Sequence, residues 1–185
     1  KKMSINVMIA DDHAMVREGI KNLLEFDGTI KVISQASDGE ECIKKLKKDK
    51  PEILLLDINM PVMNGLEVLQ KIRNDSIPVK VLILTVHNEV EYLIKAVDIG
   101  VDGYIMKDSG SEELKTAIES VYNGENYIQP SLIPSLNARL VNRDIDKDKI
   151  DSLTKRELEV LIQVANGNFN KEIANSLNIS ERTVK

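Results

Sequence analysis

The sequence predicts an α/β protein, with a five-stranded, doubly wound parallel sheet followed by a small all-α helix-turn-helix segment. Two observations carry this. Over residues 3–125, short β-branched apolar runs alternate with amphipathic helical stretches, a pattern that yields parallel strands joined by right-handed crossovers and covered on both faces. After Gly124 the alternation stops, and beyond Asp151 the apolar spacing is helical throughout.

The strands read INVMIA (5–10), IKVISQA (30–36), EILLLD (52–57), VKVLILT (79–85) and GYIMK (103–107). Between the first two, Val16, Ile20, Leu23 and Leu24 repeat at helical spacing, as do Leu114, Ala117, Ile118 and Val121 after the fifth. Asp38…Glu41, Asn64…Glu67 and Ser109…Glu112 have the polar-x-x-Glu spacing of a capping box and mark helix starts. KKLKKDK (44–50) reads as a solvated helix end and loop. In the fourth helical stretch, Leu93, Ile94, Val97 and Ile99 exceed what one core stripe needs, so that helix is either deeply buried or faces a partner. Residues 126–151 hold Pro130 and Pro134 and then a charged run, and read as a linker with a possible short helix. In 152–185, Thr154…Glu157 is a further capping box, and Leu158, Leu161, Ile162 and Ala165 form a stripe that Gly167 ends. Ile173, Ala174 and Leu177 mark a second helix, and Ser180 is a good N-cap for a third. Two short helices joined by a tight turn outline a helix-turn-helix.

The net charge of −5 is uneven. Residues 1–130 hold 16 Lys and Arg against 22 Asp and Glu, whereas 151–185 hold 5 of each. No part is strongly basic, so composition alone gives no footprint of nucleic-acid binding. No apolar run approaches the ~20 residues of a membrane span, and the start, KKMSINVMIADDH, lacks the build of a signal peptide. The single cysteine, Cys42, precludes an internal disulfide, reads as a small core thiol, and agrees with a reducing cytoplasm.

Polar residues collect where the strands end. Strand one runs into Asp11-Asp12, strand three into Asp57, strand four into Thr85 and strand five into Lys107. In an open parallel sheet, ligands bind outside those carboxyl ends. Singly, each has a plain structural explanation: Asp11-Asp12 can cap the helix near His13, and Lys107 can be a surface charge. Convergence from separate segments points to a site. Three crowded carboxylates repel one another unless a cation intervenes, and all-oxygen ligation with room for water favours Mg²⁺. A metal held by Asp12 and Asp57 suits phosphoryl chemistry, with Lys107 pairing one phosphate oxygen and Thr85 donating to another. Asp57 then serves as the nucleophile that forms an acyl phosphate. His13 and His87 have no ligand-like neighbours in sequence and read as site-edge residues.

The acidic pair Asp11-Asp12, the segment LLLDINMPVMNG (54–65), LTV around Thr85 and GYIMK resemble the receiver domain of two-component response regulators, of flavodoxin-like fold, over about residues 5–125. The resemblance implies Asp57 as phosphoacceptor, Asp12 and Asp57 as Mg²⁺ ligands, Asp11 as a ligand mostly through water, and the Asn59 backbone carbonyl as a further ligand. It implies Thr85 and Tyr104 as a coupled switch pair in which the hydroxyl moves to the phosphoryl group and the ring turns inward. LTKRELEVL, NKEIA and ISERTVK are similar to the output domain of the LuxR/NarL subfamily. Together these imply a cytoplasmic transcription regulator phosphorylated by a sensor histidine kinase, dimeric on promoter DNA, with Arg182, Thr183 and Lys185 as DNA contacts. It would gain and lose its own phosphoryl group without being a turnover enzyme.

Departures from the pattern are specific. Asp108 follows Lys107 where other subfamilies often carry proline, and Phe169 stands where the subfamily usually has a capping serine, which would shift the cap to Asn168 or Asn170. The chain stops at Lys185, one turn into the expected DNA-reading helix, so a truncated output domain and weak DNA binding by this chain are expected. The rival reading as a haloacid-dehalogenase-type phosphatase needs a second carboxylate two residues after the nucleophile, where Asn59 stands. A flavin or nucleotide binder would want a glycine-rich loop after strand one, where the sequence is ADDHAMVREG. A receiver acting only through protein contacts remains the alternative.

Overall fold

The computed structural model describes residues 4–87 and 89–184, with the backbone alone at 143–146 and 148. Six strands form one parallel sheet: β1 (Ile5–Ala10), β2 (Ile30–Ala36), β3 (Ile53–Leu56), β4 (Lys80–Thr85), β5 (Gly103–Met106) and β6 (Tyr127–Ile128). Their order is β2-β1-β3-β4-β5-β6. The crossovers are α1 (Ala14–Glu25), α2 (Gly39–Asp49), α3 (Gly65–Asn74), α4 (Val90–Ile99) and α5 (Ser111–Tyr122). The chain divides into two compact units, residues 1–136 and 137–185.

The central strands are apolar on both faces because helices cover both faces. Met8, Leu54, Leu56, Val81, Ile83 and Tyr104 point to one side, where Cys42 and Leu46 of α2, Val68, Leu69 and Ile72 of α3, and Leu93 and Ala96 of α4 meet them. Alternate residues, Val7, Ile9, Ile53, Leu55, Leu82 and Ile105, point to the other, against Leu24 of α1 and Leu114, Ile118 and Val121 of α5. Burial pushes the Cys42 thiol up to about 12, as expected of an inert core thiol. On α4, Leu93 is buried, Ile94 and Ile99 pack partly into the core, and Val97 is exposed.

Asp38 accepts from the Glu41 N–H, and Asn64 and Glu67 form a complete capping box. The third predicted cap is corrected: α5 is capped at Gly110 without a side-chain bond, and Ser109 Oγ is buried with no partner. Glu41 also accepts from the Ser37 backbone and hydroxyl, and pairs with Lys45 at 2.7 Å. The Lys45 hydrogen bond leads in holding its carboxyl down, at about 2 against an ordinary 4.5. A depressed folded-state value stabilises above the unfolded value and is lost as pH falls through the folded one. Glu41→Gln is therefore expected to lower stability at pH 7 and to leave it unchanged near pH 2. Because the side chain is about a third exposed, solvent screening limits the loss to under about 1 kcal/mol; urea denaturation at the two pH values reads it.

At the opposite edge of the sheet, Asp102 accepts from Arg73 at 2.6 Å, from Lys80 at 3.1 Å and from the Val81 N–H at 2.8 Å. Asp102→Ala leaves a part-buried amide and guanidinium without that acceptor and is expected to cost about 2 kcal/mol. An unchanged urea midpoint would refute this.

The sixth strand corrects the five-strand expectation. Tyr127 and Ile128 pair with Gly103 and Tyr104 of β5, and Gln129 accepts from the Met106 N–H through its side chain at 2.8 Å. Two residues are too few to show alternation. A 3-10 turn (Pro130–Leu132) leads into α6, Ile133–Asp151, a 19-residue helix where the sequence indicates a linker with at most a short one. Pro134 falls in its first turn, where the missing N–H has no helical partner to lose. Leu136 is buried in the first unit's core.

In the second unit, α7 (Lys155–Ala165) starts at a complete Thr154–Glu157 capping box, and Gly167 follows it with φ +82°. α8 (Asn170–Leu177) carries the buried Ile173 and Ala174. Its N-cap is Phe169, not Asn168 or Asn170; a phenyl ring accepts no hydrogen bond, and Glu172 accepts from the Phe169 N–H. Asn178 turns the chain with φ +54°, and Ser180 accepts from the Thr183 N–H at the start of α9 (Glu181–Val184).

Candidate functional site

The three strand-end segments that carry acidic residues and lysine are registered by main-chain bonds that continue the sheet. The Asp57 N–H donates to Ala10, the Asp11 N–H to Ala36 and the Lys107 N–H to Thr85. Pairing of β1 with β3 and of β4 with β5 thus fixes where these side chains leave the backbone. Lys107 Nζ lies 2.6 Å from Asp11 Oδ2 and 2.9 Å from Asp57 Oδ2. Both carboxylates are buried, at 2% and 3% exposure, so two acids share one ammonium.

Asp57 Oδ1 is buried and accepts no well-formed hydrogen bond. Burial pushes the Asp57 pKa above its ordinary value; the Lys107 hydrogen bond and charge pull it down, Asp11 pushes it up, and the Asn59 N–H pulls it down. The net direction is upward. For Lys107, burial works to lower the pKa, but the bonds to Asp11 and Asp57 outweigh it and the value rises.

Asp12 and His13 complete the cluster from the exposed side. His13 Nδ1 lies 2.7 Å from Asp12 Oδ1 and 3.3 Å from Asp11 Oδ1. One donor atom from each of Asp11, Asp12, His13 and Asp57 falls within 4.8 Å of all the others. The arrangement can hold a divalent cation: its acids outnumber its ammonium, and a buried carboxylate oxygen is left over. The sequence places His13 at the site's edge; the turn after β1, in which the His13 N–H donates to Asp11 Oδ1 at 2.8 Å, folds its ring back onto the acids. The signal for this in the sequence is adjacency to the acidic pair.

Thr85 and Tyr104 meet through one residue. The His87 N–H donates to Thr85 Oγ1 at 3.2 Å, and the Tyr104 hydroxyl donates to the His87 carbonyl at 3.4 Å. Both side chains are fully buried, and the His87 ring stacks on Tyr92 with centroids 4.6 Å apart. Asn59 is exposed, in the turn between β3 and α3. Arg182 and Thr183 are exposed on α9, and Lys185 lies outside the described residues.

The parallel sheet thus gathers three acids and a lysine at its carboxyl edge, where ligands of such sheets bind. Residues 7–119 match the response regulator receiver domain, and residues 151–185 match the bacterial regulatory proteins of the luxR family. The chain is 39% identical over 180 residues to the nitrate/nitrite response regulator protein NarL of Escherichia coli strain K12, covering 97% of this chain and 83% of the relative. It is 38% identical over 187 residues to the oxygen regulatory protein NreC of Staphylococcus carnosus strain TM300, covering 98% and 86%. A solved structure of two RcsB dimers bound to two parallel DNAs is 28% identical, with a TM-score of 0.71, over 98% of this chain and 87% of that one. The chain belongs to the LuxR/NarL family of two-component response regulators, transcription regulators with a receiver and a helix-turn-helix domain. Among the described residues, no helix is long and apolar enough to cross a membrane.

Proposed function

We propose that this chain is a phosphorylation-activated transcription regulator of the cytoplasm, in which Asp57 accepts a phosphoryl group from a sensor histidine kinase. The observation that carries this reading is the division of labour at Asp57: Lys107 holds Oδ2, and Oδ1 is left buried without a partner. In the transfer, an Asp57 oxygen attacks phosphorus, an acyl phosphate bond forms, the bond from phosphorus to the donor nitrogen breaks, and the nitrogen keeps the electron pair. Lys107 neutralises a phosphoryl oxygen, and the Thr85 hydroxyl donates to another once released from the His87 N–H. Asp11, Asp12 and Asp57, with the Asn59 carbonyl, would hold Mg²⁺, which supplies charge neutralisation for the incoming group. The exchange of partners at Thr85 and Tyr104 would couple the site to the β4–α4 turn, because His87 bonds to both.

In this reading, residues 3–125 are the receiver, 126–151 the connector and 152–185 the output segment. Phosphorylation promotes dimerisation and binding of promoter DNA, with Arg182, Thr183 and Lys185 as contacts. The RcsB dimers solved on DNA support that part. The test is incubation with Mg²⁺ and a small acyl-phosphate donor, followed by intact-mass spectrometry and light scattering. One labile phosphoryl group per chain and a shift toward dimer are expected. A phosphorylated chain that stays monomeric would favour a receiver acting through other protein contacts, and no phosphoryl uptake would overturn the reading.

A further inference from the structure

We propose that His13 is a ligand of the divalent-cation site and biases it toward first-row transition cations such as Zn²⁺ over Mg²⁺. The inference rests on the reading above insofar as the strand-end acids hold a cation, and it adds a nitrogen donor that reading does not use. Three observations carry it. First, His13 contributes one of four donor atoms lying within 4.8 Å of one another, the other three being carboxylate oxygens of Asp11, Asp12 and Asp57. Second, its Nδ1 lies 2.7 Å from Asp12 Oδ1 and 3.3 Å from Asp11 Oδ1. The imidazole nitrogen therefore already stands in contact with two of the three carboxylates that would hold the ion. Third, Asp57, at 3% exposure, keeps a buried oxygen without a hydrogen bond within the same cluster. Lys107 takes the Oδ2 atoms of Asp11 and Asp57, on the inner side of the cluster. His13 approaches from the exposed side, its side chain 66% accessible, so its imidazole meets the acids on the face open to water and ions.

The chemical consequence follows from donor type. Mg²⁺ takes oxygen and gains little from an imidazole, whereas the transition divalents gain affinity from one. The remaining histidine does not compete: His87 Nε2 is buried, and Nδ1 faces Glu89 at 3.2 Å.

Equilibrium dialysis of the full chain with Zn²⁺ alone and Mg²⁺ alone, beside His13→Asn and His87→Asn variants, tests this, with ¹⁵N NMR of the imidazoles as a direct readout. The parent should prefer Zn²⁺, and the ratio of Zn²⁺ to Mg²⁺ affinity should fall about tenfold or more in His13→Asn while holding in His87→Asn. Zn²⁺, but not Mg²⁺, should shift the His13 Nδ1 resonance. If both cations bind and neither the ratio nor the resonance responds to His13, the site is all-oxygen and the proposal is overturned alone. If neither cation binds to the parent, the cation site itself fails, and this proposal with it.

Discussion

Asp57→Asn is expected to abolish phosphoryl uptake while making the folded chain more stable. The two effects have one origin. Asp11 and Asp57 are both buried and share the single ammonium of Lys107, so the cluster keeps more negative charge than its protein partners neutralise. Asparagine has nearly the same shape and can still accept from Lys107, but it removes a buried charge. In the absence of divalent cations this should raise stability by about 1 kcal/mol, seen as a higher urea midpoint with an unchanged slope. Intact mass after treatment with an acyl-phosphate donor should then show one phosphoryl group on the parent and none on the variant. Uptake persisting on the variant would move the acceptor to Asp11 or Asp12. Equal or lower stability would mean that Asp57 is better solvated or paired than its buried, unpartnered oxygen indicates.

Gly65→Ala should be the most damaging small substitution near the site. A Cβ there would meet the Asp57 carbonyl oxygen at 2.2 Å and Ile58 Cα at 2.8 Å, both backbone atoms that cannot swing aside. The Gly65 N–H also donates to the Ile58 carbonyl at 2.9 Å, which fixes the close approach of α3 to the strand end. Separating the two segments costs stability, about 3 kcal/mol on the usual scale for overpacking, and displaces the Asp57 carboxylate, so phosphoryl uptake should slow as well. Gly19 is the control. It lies inside α1 with nothing within 4 Å of a built Cβ, so Gly19→Ala should stabilise by about 0.5–1 kcal/mol through helix propensity. Thermal denaturation of the pair separates the explanations: similar shifts in both would mean that the clash at Gly65 relaxes freely.

Much of the fold and of the site is legible in local patterns of the chain. The run LLLD predicts a strand buried on both faces ending in an acid, and the fold places Leu54, Leu55 and Leu56 in the two core layers with Asp57 just beyond. Asn64–Glu67 and Thr154–Glu157 mark helix starts because a capping box is a contact between residues three apart. Ser109–Glu112 has the same spacing and fails, because its segment is held by other bonds: the Ser109 N–H donates to the Met106 carbonyl, and α5 begins two residues later. β6 and the full length of α6 are hidden for a related reason. The first is held by pairing with β5 rather than by any pattern of its own, and the second is polar over much of its length, so neither shows the apolar periodicity that reveals an element.

The sequence by itself determined the alternation of strands and helices, the apolar faces and the chemical groups at each strand end, because periods of two and of 3.6 residues are local properties of the chain. Only the tertiary structure decided how those groups meet. Lys107 bridges Asp11 and Asp57, and His87 joins Thr85 to Tyr104, across separations in sequence that no short-range pattern encodes, while the turn after β1 aims His13 back onto the acids beside it. The physical reason is that a side chain beyond a strand end takes its direction from the register of neighbouring strands and from the turn that follows, both fixed when the sheet assembles.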